Sequence, residues 1–334
     1  MPQRRRPLKF LALVMVLGLS VLLPGCGAWF PSAQEPAYRF VNAWGEPGTE
    51  PGQFRDPTGI AVSATEVFVS DSRNARIQVF DHDGRFRHQF GGLDDEEPGE
   101  GLGQLGRPMN LTISNDKLYV ADYWNDRIQV FSLAGKPLRI IGRGGSAPGE
   151  FKSPGGVAVA ANGDLYVADF YNQRIQHLDP EGRFIAQWGT TGEVGIWAGE
   201  FNYPTDVALA ADGSLYVADG YNDRVQVISA QGQLLRKWGG PFAMNIFGPF
   251  KGWFATTTAV DFGPEGALFV ADFYNHRVQK FAPDGTFLNA FGEEGSGPGQ
   301  FNHAIAAAVA PDGGVFVADF GNNRIQKWRP HDSE

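Results

Sequence analysis

One phrase recurs six times along the 334-residue chain: Asp, two residues, Asn, one residue, Arg, Ile or Val, then Gln. The copies begin at Asp71, Asp122, Asp169, Asp219, Asp272 and Asp319, at intervals of 51, 47, 50, 53 and 47 residues. A near-constant period of this length marks a repeat architecture, in which one unit cannot bury its apolar face alone and must stack on its neighbours. The third copy shows the frame most clearly. A run from Gly155 to Ala160 is followed by the turn Ala161-Asn162-Gly163-Asp164, a run from Leu165 to Ala168, and a loop from Asp169 to Arg174. Two more runs follow, Ile175 to Leu178 and Arg183 to Trp188, with a Gly-containing turn between them. Short β-rich runs separated by Gly, Asn and Asp predict hairpin-linked antiparallel strands. Four such strands every fifty residues predict a propeller blade.

The fourth run ends in an apolar residue and Gly at Phe90-Gly91, Ile141-Gly142, Trp188-Gly189, Trp238-Gly239 and Phe291-Gly292. A sixth such run, Tyr38 to Gly45, precedes the first repeat, while the last repeat stops after its third run. The chain is therefore expected to be all-β: six four-stranded antiparallel blades over residues 38–330, with the N-terminal strand completing the last blade. Closure of this kind hides a sheet edge that would otherwise pair with other chains.

The leads Pro51-Gly52-Gln53-Phe54, Pro148-Gly149-Glu150-Phe151 and Pro298-Gly299-Gln300-Phe301, together with the recurring Asp-x-x-Asn-x-Arg-Ile-Gln, resemble NHL repeats. The resemblance implies the six-bladed fold. It also implies a choice of activities, since proteins of this kind include peptide amidation lyases, sensor domains and platforms for RNA or protein, so function has to be read from the site.

Repetition sorts residues into scaffold and site. A residue needed in every blade is needed by the blade, whereas a single ligand needs an asymmetric set. The six Asp and the six Arg, from Arg76 to Arg324, are therefore expected to be structural, the Arg reaching a carboxylate or carbonyls of a neighbouring blade. Gly142 to Gly149 is glycine-rich, but it joins two strands and opens no helix, so it reads as a connector rather than a phosphate loop.

Four irregularities fall on the face that carries the second-to-third-strand loops and the connectors between blades. The residue before the loop Asn is Trp124, Tyr171, Tyr221 and Tyr274 in consecutive blades. These read either as caps on neighbouring blades or as a grip for a peptide or sugar. The connector into the fifth blade holds Phe242, Met244, Ile246, Phe247, Phe250, Trp253 and Phe254, of which Phe247 and Trp253 stand as candidate partner contacts. The connector into the second blade carries Asp94, Asp95, Glu96, Glu97 and Glu100, which reads as a solvated run rather than a calcium site. Asn110, Asp206 and His303 stand near the starts of innermost strands, and His276 in a loop, so together they are expected near the channel mouth. His276 and His303, with Asp206, are the candidate metal ligands for zinc or calcium.

The formal charge is −9, and 24 basic against 37 acidic residues leaves −13 once the first 25 residues are set aside. Such a surface repels phosphates, so no nucleic-acid partner is expected. Met1 to Lys9 is basic and Phe10 to Leu23 apolar, the order of an export signal and short for a membrane span. It runs into Leu23-Pro24-Gly25-Cys26, which resembles the bacterial lipobox. That resemblance implies a signal peptide over 1–25, acylation (palmitate-type chains) of Cys26, the sole cysteine, a tether over 26–37, and a propeller held on the extracytoplasmic side of a bacterial membrane, in the periplasm or at the cell surface. Residues 331–334 read as a tail. The expected function is a non-catalytic module binding an envelope protein, peptide or glycan, with no cofactor required. The alternative is a metal-dependent lyase or hydrolase, for which no set of nucleophile, base and orienting group is visible.

Overall fold

The computed structural model describes residues 31–92 and 99–331. The export signal, Cys26 and Asp94 to Glu97 lie outside the described residues. Six four-stranded antiparallel sheets form a closed ring. Blade 1 comprises Pro57–Val62, Glu66–Asp71, Arg76–Asp81 and Phe86–Phe90; blade 4 comprises Pro204–Leu209, Leu215–Asp219, Arg224–Ile228 and Leu234–Gly239. The innermost strands of the other blades begin at Pro108, Pro154, Thr257 and Ala304. In the sixth blade Tyr38–Trp44 pairs antiparallel with Arg324–Pro330, Tyr38 opposite Pro330 and Trp44 opposite Ile325, as the placement of the N-terminal run requires.

The core lies between blades rather than within one. Six apolar clusters fill the six blade interfaces, and the interface between blades 6 and 1 packs Phe54, Val69 and Phe80 against Ala306, Phe316 and Ile325. The Phe of each connector (Phe54, Phe151, Phe201, Phe254, Phe301) is wholly buried, and Leu105 takes its place in blade 2. This burial explains the Gly that ends each outer strand. Gly142 has φ +80° and Gly292 φ +94°, and a Cβ on either would run into the ring of Phe151 or Phe301. Only Gly meets both the left-handed backbone and the close approach.

Because the innermost strand starts where the second strand ends (Pro57 opposite Asp71, Pro204 opposite Asp219), the second-to-third-strand loops and the connectors between blades emerge together. This is called the top face below. The tight hairpin turns occupy the bottom.

The candidate site: mouth and channel

The recurring phrase is a staple. In blade 4 the fully buried Asp219 carboxylate accepts hydrogen bonds from the Asn202 N–H (2.7 Å), Asn222 Nδ2 (2.9 Å), Arg224 Nε (2.7 Å) and Gln226 Nε2 (3.0 Å). The same donors then hold the connector: Asn222 donates to the Gly195 carbonyl, Arg224 to those of Trp197 and Glu200, and Gln226 also to that of Glu200. Gln226 in turn accepts from the Gly199 N–H at 3.0 Å. The pattern repeats at Asp71, Asp122, Asp169, Asp272 and Asp319. Burying a charge is tolerated when it is paired and its remaining valences are filled. The Arg therefore clamps the connector entering its own blade, not a neighbouring blade as the sequence suggested.

A different residue joins the blades. The position after the loop Asn is left-handed in every blade, and at five of the six boundaries its side chain accepts the N–H of a residue just before the next innermost strand. The pairs are Asp126 with Ser153, Gln173 with Tyr203, Asp223 with Thr256, His276 with His303, and Asn323 with Asp56. Burial, with help from Asp272 and Asp219, pushes the Asp223 carboxyl up to about 6.

At the top of the channel aromatic residues of neighbouring blades meet along one arc. Tyr123 meets Phe170 edge-on and Phe170 meets Tyr203 at a tilt, with ring centroids 6.0 and 4.9 Å apart, and Tyr203 meets Tyr221 at 5.0 Å. The four aromatics singled out in the sequence, Trp124, Tyr171, Tyr221 and Tyr274, are between 43% and 60% exposed, while Tyr171 also meets Tyr123 of blade 2 at 6.2 Å and Tyr221 meets Phe170 of blade 3 at 6.4 Å. Arg107 lies over the Trp124 ring at 5.4 Å and Lys152 over Tyr171 at 6.0 Å. Cations over ring faces orient the rings and place positive charge at the mouth. Tyr123, Phe170 and Arg107 line a cavity of about 180 Å³ that also has Met109, Asn110 and Ile305 in its wall.

Asn110 forms the floor. From blade 2 its amide reaches to 3.5 Å from the Thr258 carbonyl of blade 5, directly across the ring. Beneath it lies a second cavity of about 280 Å³, also lined by Asp206 and Asp261. Asp206 accepts from the Val260 N–H at 3.1 Å and Asp261 from the Val309 N–H at 3.2 Å. Burial pushes the Asp206 carboxyl up to about 8, with the charge of Asp261 adding to the effect, and pushes Asp261 up to about 7. Near neutral pH the channel therefore retains protons on carboxyl groups.

The expected set of His276, His303 and Asp206 is not assembled: Asp206 sits in the channel, and among the described residues no group of three His, Cys, Asp or Glu is placed to hold a metal. His276 Nδ1 accepts the His303 N–H at 3.1 Å, and the His303 ring stacks on Phe273 at 4.4 Å. Burial, then the neighbouring His276, lowers the His303 pKa, which keeps that ring neutral. Trp253 is only 7% exposed; its carbonyl accepts from Arg277 and Gln279, so it is part of the staple rather than a contact surface. Phe247 is 66% exposed. Asp261 escaped the sequence reading, although an acid interrupting Thr257–Phe262 where other blades have Ala or Thr was a usable signal.

The NHL repeat model matches residues 54–80, 151–178, 201–228, 257–281 and 301–328, leaving out blade 2, whose connector has Leu105 for Phe. Among curated proteins, the chain is 36% identical over 103 residues to protein brain tumor of Drosophila melanogaster, covering 30% of this chain and 10% of that protein. It is also 36% identical over 108 residues to a peptidylglycine alpha-amidating monooxygenase of Rattus norvegicus, covering 30% of this chain and 11% of that one. The chain thus spans about a tenth of the length of these relatives. Among solved structures, a protein of unknown function from Bacteroides thetaiotaomicron superposes with TM-score 0.67 at 17% identity, over 88% of this chain and 76% of that one. A streptogramin B lyase superposes with TM-score 0.57 at 16% identity, over 88% of this chain and 98% of that one. At such identities the likeness concerns fold alone. Repeats, blade order and closure together make the chain a six-bladed β-propeller, five blades of which match the NHL repeat.

Proposed function

We propose that this propeller is a membrane-tethered, extracytoplasmic binding module that takes a protein or peptide segment at its top mouth. The observation that carries this reading is the exposure of Trp124, Tyr171, Tyr221 and Tyr274 on the top face, with Arg107 over Trp124 and Lys152 over Tyr171, together with a small apolar cavity lined by Tyr123, Phe170 and Arg107. Aromatic anchors beside a pocket concentrate binding energy, and the cations select for an acidic or carboxylate-bearing segment. A cavity of about 180 Å³ admits one side chain or one sugar ring, so a partner would insert a single residue and spread over the rim. The lipobox-like Leu23-Pro24-Gly25-Cys26 supports acylation of Cys26 and an address on the outer side of a bacterial membrane.

The test places a photo-crosslinking amino acid at Trp124, or at Asn162 in a bottom turn, in the intact cell envelope. The reading expects a discrete crosslinked product from position 124 and none from 162. Equal or absent products at both positions would overturn it.

A further inference from the structure

Arg107 is a cation whose donors the fold leaves unfilled. Among the described residues, the buried side-chain polar atoms without a hydrogen-bond partner belong to Trp44, Ser72, His88, Trp238, Trp328 and Arg107, where the atom is Nε. The staple arginines are saturated by contrast: Arg224 donates to the Asp219 carboxylate and to the carbonyls of Ile196, Trp197, Glu200 and Ala243. Arg107 instead stands over the Trp124 ring, and the nearest acid, Asp56, lies 3.9 Å from its Nη2, beyond hydrogen-bond distance. Arg73 already holds the same Asp56 oxygen at 2.5 Å. A guanidinium presents a planar fork of donors that matches a carboxylate, and the wanting acceptor in a half-buried fork of this kind points to a ligand.

The Arg107 side chain is 28% exposed and lines the small cavity at the mouth. The rest of that wall offers little to an incoming backbone. Met109, Phe170 and Ile305 are apolar, and the hydroxyls of Thr58, Thr205 and Thr258 already donate to the carbonyls of Pro108, Thr257 and Ile305. A chain that dipped into the cavity and out again would bury backbone N–H and C=O groups without partners. A chain that ends there buries one apolar side chain and brings its terminal carboxylate to the unfilled donors.

We propose that the cavity takes the free C-terminal residue of the partner segment, its apolar side chain against Met109, Phe170 and Ile305 and its carboxylate on the Arg107 guanidinium. The inference deepens the reading of the mouth as a peptide site and rests on it. Lys152, which lies over Tyr171 and outside the cavity wall, then adds charge at the rim without touching the terminus.

The test uses the full-length protein in phospholipid nanodiscs and acetyl-Gly-Gly peptides ending in photoreactive leucine, as the free acid or the amide, with labelled sites read by peptide mass spectrometry. A third peptide is amidated and carries glutamate before the photoreactive leucine. The proposal expects the free acid to label the segments around Met109 and Phe170 at least about tenfold more than either amide, the equivalent of about 1.4 kcal/mol. Arg107→Gln should abolish the preference, and Arg107→Lys, which keeps the charge, should retain part of it; a thermal scan shows that both variants fold. Equal labelling by acid and amide overturns the proposal, as does a preference that survives in Arg107→Gln. Labelling by the glutamate peptide as strong as by the free acid also overturns it and assigns Arg107 to an acidic side chain. The crosslink from position 124 in the envelope decides the wider reading separately. A product there without acid preference removes the chain end alone, whereas acid preference without a product removes the envelope partner and leaves the subsite.

Discussion

The side chain of Asn323 accepts a hydrogen bond from the backbone N–H of Asp56 at 2.9 Å, joining residues 267 positions apart in the chain. It is the ring-closing instance of a link that recurs between blades, and it supplements the strand Tyr38–Trp44 at the same closure. Replacing Asn323 with Ala leaves that N–H without its partner. The expected cost is about 1 kcal/mol, or roughly 2 °C in a chain of this size. A thermal unfolding scan of N323A against the parent measures it, and an unchanged Tm would show that strand pairing alone closes the ring.

Arg224 and Asp219 are both fully buried, and Arg183 beside Asp179 is largely exposed. Arg224→Met would strand a buried carboxylate and is expected to cost about 3–5 kcal/mol. Arg183→Ala removes a surface pair and is expected to change stability by less than about 1 kcal/mol. Chemical denaturation of both variants checks the contrast. Equal effects would contradict the assignment of the repeated Arg to the scaffold.

The channel carboxyls give stability a pH dependence with a definite sign. Burial raises Asp206 to about 8 and Asp261 to about 7, above the ordinary carboxylate value, so the folded state binds more protons than the unfolded state across that window. Their contribution is complete below about pH 4 and is lost as pH rises through about 7 to 8, at up to about 1.4 kcal/mol per pH unit for each group. The variant Asp206→Asn keeps the shape without the charge. It is expected to lose less stability than the parent between about pH 5 and about pH 9. Denaturation midpoints at the two pH values decide, and parallel losses would show that Asp206 is already ionised in the fold.

The phrase around each Asp, the Gly after each outer strand and the unpaired run at Tyr38 were enough to read blade count, strand order and closure, because each encodes a local requirement repeated six times. The site was less legible. Trp124 and Tyr221 were visible as candidates, but the surroundings of Tyr221 depended on Phe170 and Tyr203, whose ring contacts are a relation between blades. Trp253 looked like a surface anchor by composition, yet its carbonyl accepts from the staple and its ring is buried edge-on against Phe250. Asn110, Asp206 and Asp261 meet only because three separate innermost strands converge on one axis.

The repeated motifs build the ring, and the proposed recognition surface lies where the repeats differ. The most direct measurement compares capture of the partner crosslinked at position 124 by the parent and by a Trp124→Ser, Tyr221→Ser double variant at equal folded concentration. Both side chains are largely exposed, so the Tm should stay within about 1–2 °C of the parent, while capture should fall at least about tenfold, the equivalent of about 1.4 kcal/mol. Undiminished capture by a folded double variant would contradict the account.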